Sequence, residues 1–177
     1  MLYSIYLVLW ITSFVHNGVL ESEQQAKELY SSILTAAAIS SVALVVIFGK
    51  FADVTPSYIV LPFAFLMRSL FAAQVPTLVN PNSGYSAAIS VSIVLASTIQ
   101  VIAVSTLFVR NLPNDIRGAM VGLWHLFANL GGTLFSLVGG IMFDKFGPSS
   151  PFLLVSVCDL VICLFAVILG CTGYLKS

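Results

Sequence analysis

Five polar or aromatic side chains recur at helical spacing inside strongly apolar stretches, and they are the candidates for contact with a solute. They are Tyr6, Trp10, Gln100, His125 and Asn129. Residues four positions apart lie on one face of a helix, so Tyr6 shares a face with Trp10, and His125 shares one with Asn129. A polar group that faces hydrocarbon is left unsatisfied at a cost of several kcal/mol. We therefore expect the five side chains to converge on one polar surface.

Each of these side chains also has a structural interpretation. Tyr6 lies near a helix end, where aromatic residues form interfacial belts in membrane proteins. His125 and Asn129 can equally hydrogen-bond a neighbouring helix. Serines on the face of Gln100 often only pack helices, so Gln100 is the contact candidate of its segment. The residues alone leave both interpretations open.

Two ionisable residues, Arg68 and Asp159, fall inside apolar segments. At 1.5 Å per helical residue, both lie roughly 12 to 15 Å below the same membrane surface. A charge at that depth is costly unless it is paired or hydrated. The favoured expectation is a structural Arg68–Asp159 ion pair, and proton coupling through Asp159 is the alternative.

The overall composition is that of a membrane protein. Hydrophobic residues make up 59% of the chain and charged residues 8%, with a mean hydropathy of +1.04. Seven acidic and seven basic residues cancel, so no basic surface indicates a nucleic-acid partner. The three cysteines all lie in the last apolar segment and form no disulfide framework. We expect an integral, multi-pass membrane protein with the lipid bilayer as its surroundings.

Six apolar segments predict an all-α, polytopic transmembrane helix bundle that forms one domain over residues 1–177. The expected spans are residues 2–19, 31–48, 58–78, 86–109, 118–142 and 151–174. Each can cross the roughly 30 Å of hydrocarbon in a bilayer. The first is expected to be a retained helix, because no basic region precedes it and no small-residue cleavage site follows. The charged segment 21–28 is predicted to be a loop.

An internal repeat relates the two halves of the chain. Gly49-x-x-x-Asp53 follows the second span, and Gly140-x-x-x-Asp144 follows the fifth. Three crossings reverse the chain direction, so two triplets of spans have opposite topology. Such inverted three-helix repeats are typical of secondary transporters, although Gly and Asp are common enough at helix ends for chance to be the alternative.

Three segments resemble motifs of the major facilitator superfamily. Gly49-Lys50-Phe51-Ala52-Asp53 resembles the start of its loop motif, Pro113-x-x-x-Arg117-Gly118 resembles its loop between helices ten and eleven, and segment 140–147 resembles its exit from helix eleven. The motif residues are Gly49, Asp53, Arg117, Gly118, Gly140, Asp144 and Gly147. The resemblance implies that the six spans correspond to helices seven to twelve, the carboxyl-terminal half of the family fold.

The resemblance implies transport of a small solute by alternating access against an amino-terminal six-helix half or a second copy. It makes the first span line a cavity, which favours solute contact for Tyr6 and Trp10. It also brings Asp53 and Arg117 together as a pair. One departure is the segment 54–57, Val-Thr-Pro-Ser, where the family usually carries basic residues. A non-transporting structural membrane subunit that reuses the half fold is the alternative function.

No catalytic role, cofactor or metal is expected. Gly-x-Ser-x-Gly, His-Glu-x-x-His and paired intramembrane aspartates do not occur in the sequence. Loop charge predicts the orientation, because basic residues concentrate on the cytoplasmic side. One side carries Lys50, Arg110, Arg117 and Lys176, and the other carries Lys27 and Lys145. Both termini are therefore expected in the cytoplasm.

Overall fold

A computed structural model describes residues 2–110, 112–113 and 115–172, without the side chains of residues 2–4 and 16. The helices are α1 (Leu2–His16), α2 (Glu23–Val54), α3 (Ser57–Gln74), α4 (Gly84–Arg110), α5 (Arg117–Phe146) and α6 (Ser150–Cys171). A short 3₁₀ turn, Val75–Thr77, extends α3. The described residues contain no strand, so the predicted all-α bundle is confirmed. Lys176 and the predicted end of the sixth span at residue 174 lie outside the described residues.

Five helices, α2 to α6, are long and apolar enough to cross a membrane. The apolar part of α1, Ile5–Val15, is shorter. The prediction of a polytopic membrane protein is confirmed by these lengths and compositions.

Helix α2 is longer than predicted at both ends. The Ser22 hydroxyl accepts a hydrogen bond from the Gln25 N–H at 3.2 Å, and the Gln25 side chain accepts one from the Glu21 N–H at 3.0 Å. This reciprocal capping satisfies N–H groups that a helix start leaves open, so the predicted loop 21–28 is helical from Glu23 onward. At the other end α2 continues through Gly49 and Asp53 and stops at Val54. Pro56 follows two residues later and disfavours continuation.

The densest packing joins α3 and α6. The Ser69 hydroxyl donates to the Ser156 carbonyl at 2.9 Å, and the Ser156 hydroxyl donates to the Ser69 carbonyl at 3.0 Å. Near the ends of both helices, a Cβ on Gly170 would lie 2.9 Å from the Cβ of Tyr58. Small residues let membrane helices approach closely, which makes this pair the spine of the bundle.

Two apolar cores occupy opposite ends of the bundle. One joins α1, α2 and α4 around Trp10, Ile11 and Ile93. The other joins the end of α2 to α3 and α4 around Phe48, Val60 and Ala103. Among the described residues, α5 adds the partly buried Phe143 to the edge of the first core and no buried side chain to either core.

Helix α5 is the outermost element. Gly139 is its buried residue among those described, and several of its large apolar side chains, among them Leu126, Leu134 and Leu137, are more than half exposed. Its packing is mainly with α6. The Trp124 ring also contacts Phe108 of α4, with ring centroids 5.1 Å apart, and Tyr6 ties α5 to α1. A membrane-length helix with so little burial leaves one side of the bundle uncovered.

Candidate functional site

A buried charged network joins α3, α4 and α6. The Arg68 guanidinium donates from Nε to Asp159 Oδ2 at 2.5 Å and from Nη2 to Asp159 Oδ1. Gln100 Nε2 donates to the same Oδ1 at 3.5 Å. Asp159 is fully buried, whereas the Arg68 side chain is 20% exposed. This bidentate geometry gives a strong, charge-assisted interaction between Arg and a carboxylate. It neutralises both charges inside the membrane-spanning part of the chain.

A cavity of about 440 Å³ adjoins this network. Five helices line it, and its volume falls within the roughly 300 to 1,000 Å³ of small-molecule sites. Its polar lining residues are Tyr6, Arg68, Ser97, Cys158 and Asp159. Its α5 wall consists of Ala128, Gly131, Gly132 and Phe135. The cavity is half open and lies between α5 and the α3–α6 spine, and Ala128 and Gly131 of its α5 wall are exposed.

Tyr6 fastens α5 at the edge of this cavity. Its side chain is buried, and its hydroxyl donates to the Ser136 carbonyl of α5 at 2.6 Å. The ring lies directly over Gly139, where an added Cβ would be 2.7 Å from Tyr6 Cζ. Sequence reasoning missed Gly139, although the pair of adjacent glycines in α5 is a signal for a close approach. Gly139 admits the Tyr6 ring because it has no side chain.

The five candidate solute contacts do not share one surface, which corrects the expectation from the sequence. Trp10 is buried and packs edge-on against Phe14, with ring centroids 5.0 Å apart. Tyr6 and Gln100 are also buried, whereas His125 and Asn129 are exposed on α5. Helical spacing correctly groups residues by face, but packing decides which face points inward.

The exposed α5 residues lie to one side of the cavity. At roughly 100° per residue, His125 and Asn129 are turned about 70° and about 110° from the mean direction of the four α5 residues that line it. The Thr133 hydroxyl continues this stripe and donates to the Asn129 carbonyl at 3.0 Å. The stripe is an exposed polar edge on an otherwise apolar helix.

Asp53 pairs with Arg110 instead of the expected Arg117. Arg110 Nη2 lies 3.9 Å from Asp53 Oδ1 and donates to the Asp53 carbonyl, and its Nη1 lies 3.5 Å from the Thr55 carbonyl. Arg110 ends α4, which packs against α2, so its cation reaches the carbonyls left open at the α2 end. Arg117 Nη2 is 3.5 Å from the Leu112 carbonyl. The Asp53 side chain is 76% exposed, so its charge pairing contributes little.

The remaining motif residues lie at helix ends or in open positions. An added Cβ would meet no atom within 4 Å at Gly49, Gly118 or Gly140, so no helix approaches closely there. Asp144 is exposed near the end of α5. Gly147 caps α5 with a φ of +97°, a conformation that favours glycine.

The membrane-length helices, the buried charge pair and the cavity beside it define a polytopic helical membrane protein. Residues 2–172 match the sequence model of the Major Facilitator Superfamily. The chain therefore belongs to that superfamily, whose members are in general transporters, and the recognition from its motifs is confirmed.

Shorter segments are similar to magnetosome proteins. Over 72 residues, 41% of this chain and 11% of its relative, it is 36% identical to magnetosome protein MamZ of Paramagnetospirillum magneticum. Over 66 residues, 37% of this chain and 15% of its relative, it is 33% identical to MamH of the same organism. It is 38% identical to MamZ of Magnetospirillum gryphiswaldense over 61 residues, 34% of this chain and 9% of that protein. The matches thus cover a small part of these relatives. No solved structure matches the chain.

Proposed function

We propose that this chain forms one six-helix half of a transporter that moves a small solute by alternating access. The observation that carries the proposal is the packing of α5. Helix α5 is long enough to span the membrane, buries Gly139 among its described residues, and exposes His125 and Asn129. An imidazole and an amide facing hydrocarbon leave hydrogen-bonding groups unsatisfied. A second six-helix unit against α5 would enclose them in a hydrated path.

In this proposal the solute path runs between this bundle and the second unit, which is an amino-terminal half or another copy of the chain. His125 and Asn129 contact the solute from this side. Tyr6, Trp10 and Gln100 support the path from within the bundle, because all three are buried. The solute is neutral or weakly polar, since the exposed stripe carries no carboxylate or ammonium group.

Cysteine accessibility along α5 tests the path. The four variants are H125C, N129C, F127C and L134C, each in a background of C158A, C163S and C171S. Phe127 and Leu134 are 63% and 66% exposed and lie on nearly the opposite side of α5 from the stripe. In native membranes, a charged methanethiosulfonate reagent should modify H125C and N129C at least tenfold faster than the two controls, because only the thiolate in water reacts readily.

The matched controls separate the outcomes. Equal, slow reaction at all four positions would contradict a hydrated path along the stripe. That result would favour the alternative of a membrane subunit without transport activity. Equal, fast reaction would show that α5 is surrounded by water, which also contradicts the proposed arrangement.

A further inference from the structure

The half-open cavity between α5 and the α3–α6 spine has the features of a binding site separate from the proposed transport path. Its volume of about 440 Å³ accommodates a small molecule, and it is formed by residues of this chain alone. The polar end holds the fully buried Asp159 carboxylate and the Arg68 guanidinium. The opposite wall, contributed by α5, includes Ala128, Gly131 and Phe135 and is apolar. We infer that this cavity binds an electrically neutral, mostly apolar small molecule with an amide or hydroxyl group.

The charge of the ligand follows from the ion pair. Arg68 and Asp159 already neutralise each other through two hydrogen bonds. A charged ligand would add an uncompensated ion to a site inside the membrane-spanning bundle, where an unpaired charge is costly. A neutral ligand adds no such charge.

The polar group of the ligand follows from the hydrogen bonds of the lining. Arg68 carries only donors. The hydroxyl protons of Tyr6 and Ser97 are already donated, to the Ser136 and Ile93 carbonyls at 2.6 and 2.9 Å, so these oxygens present lone pairs. A lining that combines N–H donors with hydroxyl acceptors suits a group that both accepts and donates. Unionised amides and alcohols do both.

Cys158 provides a native reporter because it lines the cavity and is partly exposed. In the full chain with C163S and C171S, reconstituted in lipid nanodiscs, the alkylation rate of Cys158 by N-methylmaleimide is measured with three probes of matched size. They are neutral 2-naphthamide, anionic 2-naphthoate and cationic 2-naphthylmethylammonium. We expect 2-naphthamide to slow alkylation at least tenfold, and the two ions at the same concentration to change it less than twofold.

Two leucine substitutions on α5 serve as matched variants. Gly131 lines the cavity and Gly122 does not, and an added Cβ meets no atom within 4 Å at either position. G131L should fill the cavity and abolish the slowing by 2-naphthamide, whereas G122L should retain it. Partitioning of the neutral probe into lipid is the same in both variants, so it cannot produce the difference.

Each other outcome contradicts the inference. Equal slowing by the three probes would overturn the selection for neutral ligands, and slowing that persists in G131L would place the site elsewhere. Equilibrium dialysis of the radiolabelled probes gives a second readout that does not require Cys158 to react, and absence of 2-naphthamide binding there would exclude the site. These measurements use this chain alone, so their result is independent of whether transport occurs with a second unit.

Discussion

Arg68 of α3 and Asp159 of α6 stabilise each other as an ion pair. If one partner is removed, the charge of the other is left behind, and the two residues differ in how far that remaining charge is exposed to water. Asp159 is fully buried, so without Arg68 its carboxylate would lose its countercharge and keep the long Gln100 hydrogen bond. Arg68 is 20% exposed at the cavity. Without Asp159, its guanidinium can therefore be hydrated more easily than the Asp159 carboxylate can without Arg68. Losing one partner of a buried pair costs far more than losing both, because the penalty comes from the charge left behind.

This asymmetry predicts an order of stabilities. R68Q should lower the free energy of unfolding by roughly 3 to 5 kcal/mol, which is the usual cost of breaking a buried pair from one side. D159N should cost less, and the double variant R68Q/D159N should be closer to the original chain than R68Q is. Unfolding in mixed micelles at increasing denaturing detergent measures all four proteins. A double variant as unstable as R68Q would show that charge pairing is not what holds the network.

Helix α5 is held against α1 at Gly139, which has no side chain. The Tyr6 ring occupies the space over Gly139, while the neighbouring Gly140 faces open space. The Tyr6 hydroxyl adds a hydrogen bond to the Ser136 carbonyl one turn earlier. Displacing the ring therefore removes packing and a hydrogen bond together.

G139A and G140A form a matched pair that tests this contact. G139A should lower the free energy of unfolding by about 1 to 3 kcal/mol, the usual cost of overpacking. G140A should be neutral or stabilising, because alanine favours a helix over glycine by about 1 kcal/mol. The destabilisation by G139A should shrink in a Y6L background, where the smaller side chain leaves room for the methyl group. The same loss for both glycines, measured in the same micelle assay, would contradict the fastening role of Gly139.

The helices could be predicted from the sequence because hydropathy and length decide which segments cross a bilayer. Their ends could not, since the start of α2 depends on the side chain of Ser22 rather than on hydropathy. The sequence predicts the Arg68–Asp159 contact because two isolated charges at equal depth have few other partners. The sequence does not predict the partner of Asp53, because Arg110 and Arg117 flank the same loop. The packing of α4 against α2 brings Arg110 to Asp53.

At the scale of the molecule, the two three-helix halves of the chain are packed unequally. Helices α3 and α6 occupy equivalent places in the proposed repeat and pack against each other. Helices α2 and α5 are also equivalents, yet α2 packs on α4 and α1, whereas α5 packs mainly on α6. The half-open cavity lies beside this more loosely packed helix. The side occupied by α5 is therefore where the proposed second unit is needed.

The orientation of the bundle in the membrane is predicted from its basic residues. Lys27 and Lys50 lie at opposite ends of α2. The Lys50 end is on the same side as Arg110, which ends α4, and Arg117, which begins α5. The side with more basic residues is retained in the cytoplasm during insertion. The Lys50 end of α2 should thus be cytoplasmic, and the Lys27 end should face outward.

Single cysteines at the two ends of α2 measure this orientation in intact cells that carry the cysteine-free background. E23C should react with a membrane-impermeant maleimide added outside, because Glu23 begins α2 at the outward end. V54C, at a residue that is 83% exposed at the other end, should react only after the cells are opened. The two variants are each other's control for expression and thiol reactivity. Labelling of V54C from outside with protection of E23C would establish the reverse orientation, and labelling of both in intact cells would mean that α2 does not cross the membrane.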